Sequence, residues 1–137
     1  MPETNELAVS LAGLALFADL AEPDLEAIAD PENERRFTVG ERVLRKGMSG
    51  SGFYVILDGE ATAIIAATGP RALRRGDFFG EVSTLLGAKP TADVVAATAL
   101  HCLEIPGPKL EAFLLEYPRV MFRMLQIVTR RLQDVLE

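Results

Sequence analysis

Apolar residues recur at helical spacing near both ends of the chain and gather in short runs between glycines in the middle. Leu7, Leu11, Leu14 and Ala15 fall on one helical face, which predicts a helix over this stretch. Phe17-Ala18-Asp19-Leu20 leads into a second start. There Pro23 precedes Asp24, Leu25, Ile28 and Ala29, a short amphipathic helix with proline in its first turn. From about Arg35 to Pro106 glycines cut the chain at short intervals, and the runs Arg36 to Val39, Glu41 to Leu44 and Phe53 to Leu57 are rich in strand formers. Asp58-Gly59 marks a tight turn, Ala61 to Ala67 reads as the return strand, and Ala99 to Ile105 as the last strand. After Pro106 the helical period returns, over Lys109 to Glu116 and again from Pro118 to Glu137. In the second helix Met121, Leu125, Val128, Leu132 and Val135 alternate at steps of four and three, a seam of heptad type.

Many short strands with regular turns between helical ends predict a mainly β fold, a jelly-roll barrel flanked by N-terminal and C-terminal helices. We expect one domain over residues 1–137, with N-terminal helices to 34, the barrel over 35–106 and C-terminal helices over 107–137. The 137 residues, 49% apolar and 25% charged, suit a single hydrophobic core. A net charge of -6 disfavours nucleic acid as a partner, while leaving room for a local basic pocket. The single cysteine, Cys102, has no internal disulfide partner, and neither a C-x-x-C pair nor a His/Cys cluster of zinc type is present. The acidic first residues do not resemble a secretion signal. The apolar stretch Leu7 to Ala18 is shorter than the roughly twenty residues that span a bilayer. A cytoplasmic protein without metal, membrane or nucleic-acid partner is therefore expected. His101, alone and beside Cys102 in an apolar strand, reads as structural. Met48 to Gly52 lacks the setting of a phosphate loop. Arg35-Arg36, Arg74-Arg75 and Arg130-Arg131 read as solvated faces.

The segment from Gly76 to Ala96 departs from strand patterning. Glycine before a short helical stretch lets backbone N–H groups converge on an anion. Glu81 can accept from a sugar hydroxyl, and barrel walls can hold a base. Gly76-Asp77, Phe79-Gly80-Glu81 and Thr91-Ala92-Asp93-Val94-Val95-Ala96 together resemble the phosphate-binding cassette of cyclic-nucleotide-binding domains of the catabolite-activator and protein-kinase-A regulatory-subunit type. That family's pattern is a Gly-Asp turn, Phe-Gly-Glu, a one-turn helix and Arg-(Ser/Thr)-Ala-x-Val-x-Ala. Phe37 to Glu41, Arg45-Lys46-Gly47, Tyr54 to Glu60 and Leu16 to Leu20 are similar to it as well, so the resemblance runs from about Leu14 to the end.

The resemblance implies a regulatory module and not an enzyme, with no cofactor and with cyclic AMP or cyclic GMP as ligand. It implies a site of Phe79, Gly80, Glu81, Val82, Ser83, Lys89, Pro90, Thr91 and Ala92. Glu81 would meet the ribose 2′-hydroxyl, and N–H groups near Glu81 to Ser83 and at Thr91 would meet the phosphate. Ser83 reads equally as a residue that bonds back within its own helix. In members favouring cyclic GMP a threonine at the position of Thr91 contacts the guanine. Binding would reposition the helices after the barrel.

One position departs from the pattern. Pro90 stands where the family has the arginine that pairs with the cyclic phosphate, and proline carries neither charge nor N–H. Such a charge-assisted bond is worth about 1.5–3 kcal/mol. Lys89, adjacent, offers an ammonium as a point charge, and Asp93, if it faces inward, would oppose an anion. The competing reading is therefore a degenerate domain that binds no nucleotide and serves as a dimerisation or docking scaffold. The seam in 118–137 suits a homodimer contact as well as packing against the barrel. Related transcription regulators continue into a helix-turn-helix where this chain ends, so we expect a stand-alone protein or the N-terminal regulatory part of a larger one. A cupin-type enzyme shares the architecture but needs several histidines on its strands.

Overall fold

The run Gly52-Phe53-Tyr54-Val55-Ile56-Leu57 has no charged side chain to turn toward water. In the computed structural model all six residues are buried, in a strand covered on both faces. The structure describes residues 5–45, 47, 52–65, 69–87, 90 and 92–136. These form two compact units, one of 31–111 and one of 5–30 with 112–136.

Within 31–111 lie β1 (Glu34–Phe37), β2 (Arg42–Leu44), β3 (Gly52–Asp58), β4 (Ala61–Ile65), β5 (Gly69–Leu73), β6 (Phe78–Phe79), β7 (Asp93–Ala96) and β8 (Leu100–Pro106). They make two antiparallel four-stranded sheets, ordered β1-β8-β3-β6 and β2-β7-β4-β5. The expected jelly roll thus takes the form of two sheets packed through their inner faces. Tyr54, Ile56, Phe79, Leu100 and Cys102 come from the first sheet, and Leu44, Ala61, Ala63, Leu73, Val94 and Ala96 from the second. Among the described residues no ladder joins one sheet to the other.

Several boundaries differ from the sequence reading. Glu34 opens β1 instead of ending the N-terminal helices, and β1 stops at Phe37, before the turn in which Gly40 takes φ 86°. The return strand β4 is described to Ile65. β5 is absent from the sequence reading, because it opens with glycine and proline, which carry no strand signal. An edge strand tolerates proline, since its outer N–H side needs no partner, and β5 lies at the edge of its sheet. Asp58-Gly59 is the tight turn expected. Gly59 has φ 90°, and a Cβ there would meet the Ala99 carbonyl oxygen at 2.1 Å. The loop residues Met48 to Ser51 lie outside the described residues.

α3 (Glu81–Leu86) follows β6, and α4 (Gly107–Glu116) follows β8. The other unit contains α1 (Glu6–Ala12), a 3-10 turn at Ala15–Phe17, α2 (Glu22–Ile28), the end of α4 and α5 (Pro118–Leu136). Asn5 caps α1, its Oδ1 accepting from the Ala8 N–H at 3.0 Å. Leu11, Leu16, Phe17, Val120 and Met124 are buried. The heptad seam is not the buried stripe of α5. Val120 and Met124 face inward, while Met121, Leu125, Leu132 and Val135 stay exposed.

Asp19, just past the 3-10 turn, grips α5 from two of its turns. Its Oδ2 accepts from Arg119 Nη2 at 2.9 Å and Arg123 Nε at 2.7 Å, and its Oδ1 from Arg123 Nη2 at 2.9 Å. The Arg123 and Arg119 guanidinium groups hold the Asp19 carboxyl well below the usual carboxylate range. A depressed carboxyl pKa contributes stability above its ordinary value and loses it as pH falls toward the folded value. Asp19→Asn is therefore expected to lower the melting temperature at pH 7, with the gap to wild type narrowing as pH drops below about 4. Melting curves across pH check this, and a gap that is absent at neutral pH, or unchanged in acid, contradicts it.

Candidate functional site

The chain crosses from β5 in the second sheet to β6 in the first through Arg74-Arg75-Gly76-Asp77. Gly76 takes φ 92°, a conformation that glycine adopts without a Cβ penalty. The Asp77 N–H donates to the Arg74 carbonyl at 2.9 Å, and the Arg74 N–H donates to Asp77 Oδ2 at 2.8 Å. The Gly-Asp pair is thus a self-bonded turn. It delivers Phe79 to the inner face, stacked on Tyr54 with centroids 5.0 Å apart and planes 10° apart. Phe78 goes to the other face, 5.3 Å from the Phe53 ring.

Gly80 then turns the chain into α3 with φ 88°, and a Cβ at this position would lie 2.1 Å from the Gly52 carbonyl oxygen. Both the torsion and the approach exclude a side chain. Glu81 stands half-buried in the first turn, where the helix end favours a carboxylate. Ser83 is buried and its hydroxyl donates to the Gly80 carbonyl at 3.3 Å, the back-bonded role open to it from sequence. Val82, Leu85 and Leu86 are exposed. Gly87, with φ 64°, closes the helix. Pro90 is buried, and its carbonyl accepts from the Gly47 N–H at 2.9 Å. Lys89 and Thr91 lie outside the described residues. Ala92 leads half-buried into β7.

Register decides which side chains share the inner face. Leu44 pairs with Val94, Val94 with Ala63, and Ala63 with Arg71. Residues directly opposite in an antiparallel ladder point to the same face. Leu44, Val94 and Ala63 are buried in the core, so Arg71, exposed on β5, continues that row on the inner side. Sequence reasoning missed Arg71 because it missed β5; once that strand is known, Leu73 inward puts Arg71 inward by alternation. The same register settles Asp93. It pairs with Ile64, one step off the Ala63 row, and so lies on the outer face, where it does not oppose a ligand.

At the edge of the first sheet Arg35 is exposed, as expected, and also ion-paired. Its Nε pairs with Glu104 Oε1 at 3.0 Å. Burial, and then the hydrogen bond to Glu104, pushes the Tyr54 hydroxyl above the usual phenol range. Glu104 Oε2 lies 2.9 Å from where a Gly52 Cβ would be, so this polar group and the Gly80 turn flank the same residue. His101 Nε2 contacts Glu34 Oε1 at 2.8 Å, a structural pairing across β1 and β8. Cys102 is fully buried, its thiol pushed up to about 12 chiefly by that burial. Among the described residues no cluster of His, Cys, Asp and Glu could hold a metal, and no helix is long and apolar enough to cross a membrane.

The cyclic-nucleotide-monophosphate family model, described as the cyclic nucleotide-binding domain, matches residues 34–117. A cGMP-dependent protein kinase of Toxoplasma gondii is 27% identical over 127 residues, covering 93% of this chain and 13% of that protein. A cAMP-dependent protein kinase regulatory subunit of Mycosarcoma maydis is 34% identical over 93 residues, covering 65% of this chain and 18% of its own length. The chain therefore spans less than a fifth of these curated relatives. In fold it matches the regulatory subunit of a cAMP-independent protein kinase A from Trypanosoma cruzi bound to guanosine. The TM-score is 0.72 and the identity 23%, over 96% of this chain and 49% of that one. The matched segment contains both sheets, the Gly80 turn and α3, and the chain belongs to the cyclic nucleotide-binding domain family.

Proposed function

We propose that the chain is a ligand-sensing regulatory module, not a catalytic one, whose ligand lies between the inner face of the second sheet and the Gly80–Ala92 segment. The observation that carries the reading is Arg71, exposed at the end of the buried inner-face row Leu44, Val94 and Ala63. Paired N–H donors of arginine match the O6 and N7 acceptors of guanine and meet a donor at the corresponding edge of adenine. The relatives include both cGMP-dependent and cAMP-dependent kinases, so Arg71 alone supports guanine over adenine. Glu81 takes the ribose 2′-hydroxyl, N–H groups of Glu81, Val82 and Ser83 face the phosphate, and Phe79, Pro90 and Ala92 supply apolar contact. Lys89 and Thr91 belong to the proposed site by the resemblance alone. Binding shifts the balance between two placements of the C-terminal helices, by no more than the ligand's differential affinity for them.

Calorimetric titration with cyclic GMP and with cyclic AMP tests this reading. Cyclic GMP is expected to bind with micromolar affinity and above cyclic AMP. Arg71→Gln should weaken cyclic GMP roughly tenfold and leave cyclic AMP nearly unchanged, the scale of one lost bidentate base contact. No heat from any guanine ligand up to about millimolar concentration would favour the scaffold alternative.

A second element of function is carried by α5. Leu125, Leu132 and Val135 are 59%, 57% and 67% exposed although they continue one heptad seam. Such a seam is self-complementary, and we assign it to contact with a second copy of the chain. Sedimentation is expected to give a dimer that Leu125→Glu with Leu132→Glu converts to monomer. A wild-type chain that stays monomeric at tens of micromolar sinks this assignment.

A further inference from the structure

Arg35-Arg36-Phe37-Thr38 is the one place in the chain where a serine or threonine has arginine both two and three residues before it. The structure puts that hydroxyl at the surface, in a turn whose hydrogen bonds reach the end of β7. We infer that Thr38 is a phosphorylation site for a protein kinase that reads arginine ahead of its acceptor, and that the phosphate opens this turn.

Phe37 anchors the segment and leaves its neighbours outside. Its ring packs against the core between the sheets, edge-on to Tyr54 with centroids 6.3 Å apart. Arg36 and Thr38, on either side of it, are exposed. Arg35 keeps 43% of its side chain exposed while paired with Glu104. β1 is extended and lies at the edge of its sheet, where an enzyme that takes its substrate as an extended segment can approach. Acidic side chains of that enzyme take the guanidinium groups, as charge patterns do in kinase specificity. In the transfer, Thr38 Oγ1 forms a bond to the terminal phosphorus of ATP as the bond from that phosphorus to its bridging oxygen breaks. ADP leaves with the electron pair, and the hydroxyl proton passes to the kinase's carboxylate.

Thr38 also holds the turn that follows it. Its N–H and its hydroxyl each donate to Glu41 Oε1 at 3.3 Å, and the Glu41 N–H donates to the Thr38 carbonyl at 3.0 Å. The same turn continues the pairing of β2 with β7. There the Gly40 N–H donates to the Ala96 carbonyl and the Ala96 N–H to the Glu41 carbonyl, both at 2.8 Å. A phosphate removes the hydroxyl donor and sets a charge of about -1.5 to -2 beside the Glu41 carboxylate. Like charges so close repel, so the turn gives way, and with it the end of β7.

The test incubates the full chain with ATP and the catalytic subunit of a cAMP-dependent protein kinase. Peptide mass spectrometry then maps the phosphate, and melting temperatures are compared before and after. One phosphate on Thr38 is expected, lost in Thr38→Ala and added at least tenfold more slowly in Arg36→Gln, the scale of a lost charge-assisted contact. The phosphorylated chain should melt several degrees below the unmodified one, and Thr38→Ala, which adds no charge, close to it. Both substitutions lie at exposed positions, and their own melting curves check the fold. No phosphate on Thr38, or a rate unchanged in Arg36→Gln, overturns the site. Phosphorylation with an unchanged or raised melting temperature overturns the opening of the turn. Neither outcome depends on what the cassette binds.

Discussion

Two backbones meet where β3 begins and β6 ends, with no side chain between them. Gly80 must turn with positive φ, and the Gly52 carbonyl occupies the space a Cβ would need. Gly52 in turn is confined on its own Cβ side by the Glu104 carboxylate and the Tyr54 ring. The first residue of α3 is therefore placed by a strand buried along both faces, not by the short helix itself. A six-residue helix has little stability of its own, so the location of Glu81 depends on this contact. Phe79, one residue before the turn, adds the stacking against Tyr54 that keeps β6 flat on its neighbour.

From that fixed point the chemistry of the site follows from register. The inner face of small and branched apolar residues packs as the core between the sheets, and Arg71 stands exposed beyond it. In the proposed site Arg71 would set the hydrogen-bonding edge for a base at one end and Glu81 the sugar contact at the other. Pro90 stands where the resembled pattern has its arginine. In the proposed site selectivity would come from polar contacts, since a buried polar group left without its partner discriminates more strongly than a change of apolar shape.

Much of this was legible in the sequence because it was written in glycine, proline and alternation. Gly76-Asp77 and Gly80 announce turns that the torsions confirm, and the unbroken run Phe53 to Leu57 is what a strand buried on two faces looks like. Arg71 and Asp93 were not placed, for one reason. Their orientation depends on which strand each residue pairs with, and the strand that settles Arg71 begins with glycine and proline. The seam on α5 was seen, but periodicity alone does not tell which of two adjacent stripes a helix buries. Val120 and Met124 take the inner position, and Met121 and Leu125 the outer. The ion pair of Arg35 with Glu104 joins residues distant in sequence, and nothing local marks either as a partner.

The claim that the Gly52–Gly80 approach positions the cassette is tested most directly by comparing Gly80→Ala with Gly87→Ala in denaturant melts. Both glycines have positive φ, but a Cβ at Gly87 meets nothing within 4 Å. Gly87→Ala should cost about 1 kcal/mol, the strain of the torsion alone. Gly80→Ala should cost more than about 2 kcal/mol, because the β3 backbone must also move. Equal losses at the two positions would contradict the account and leave α3 held by something other than this contact.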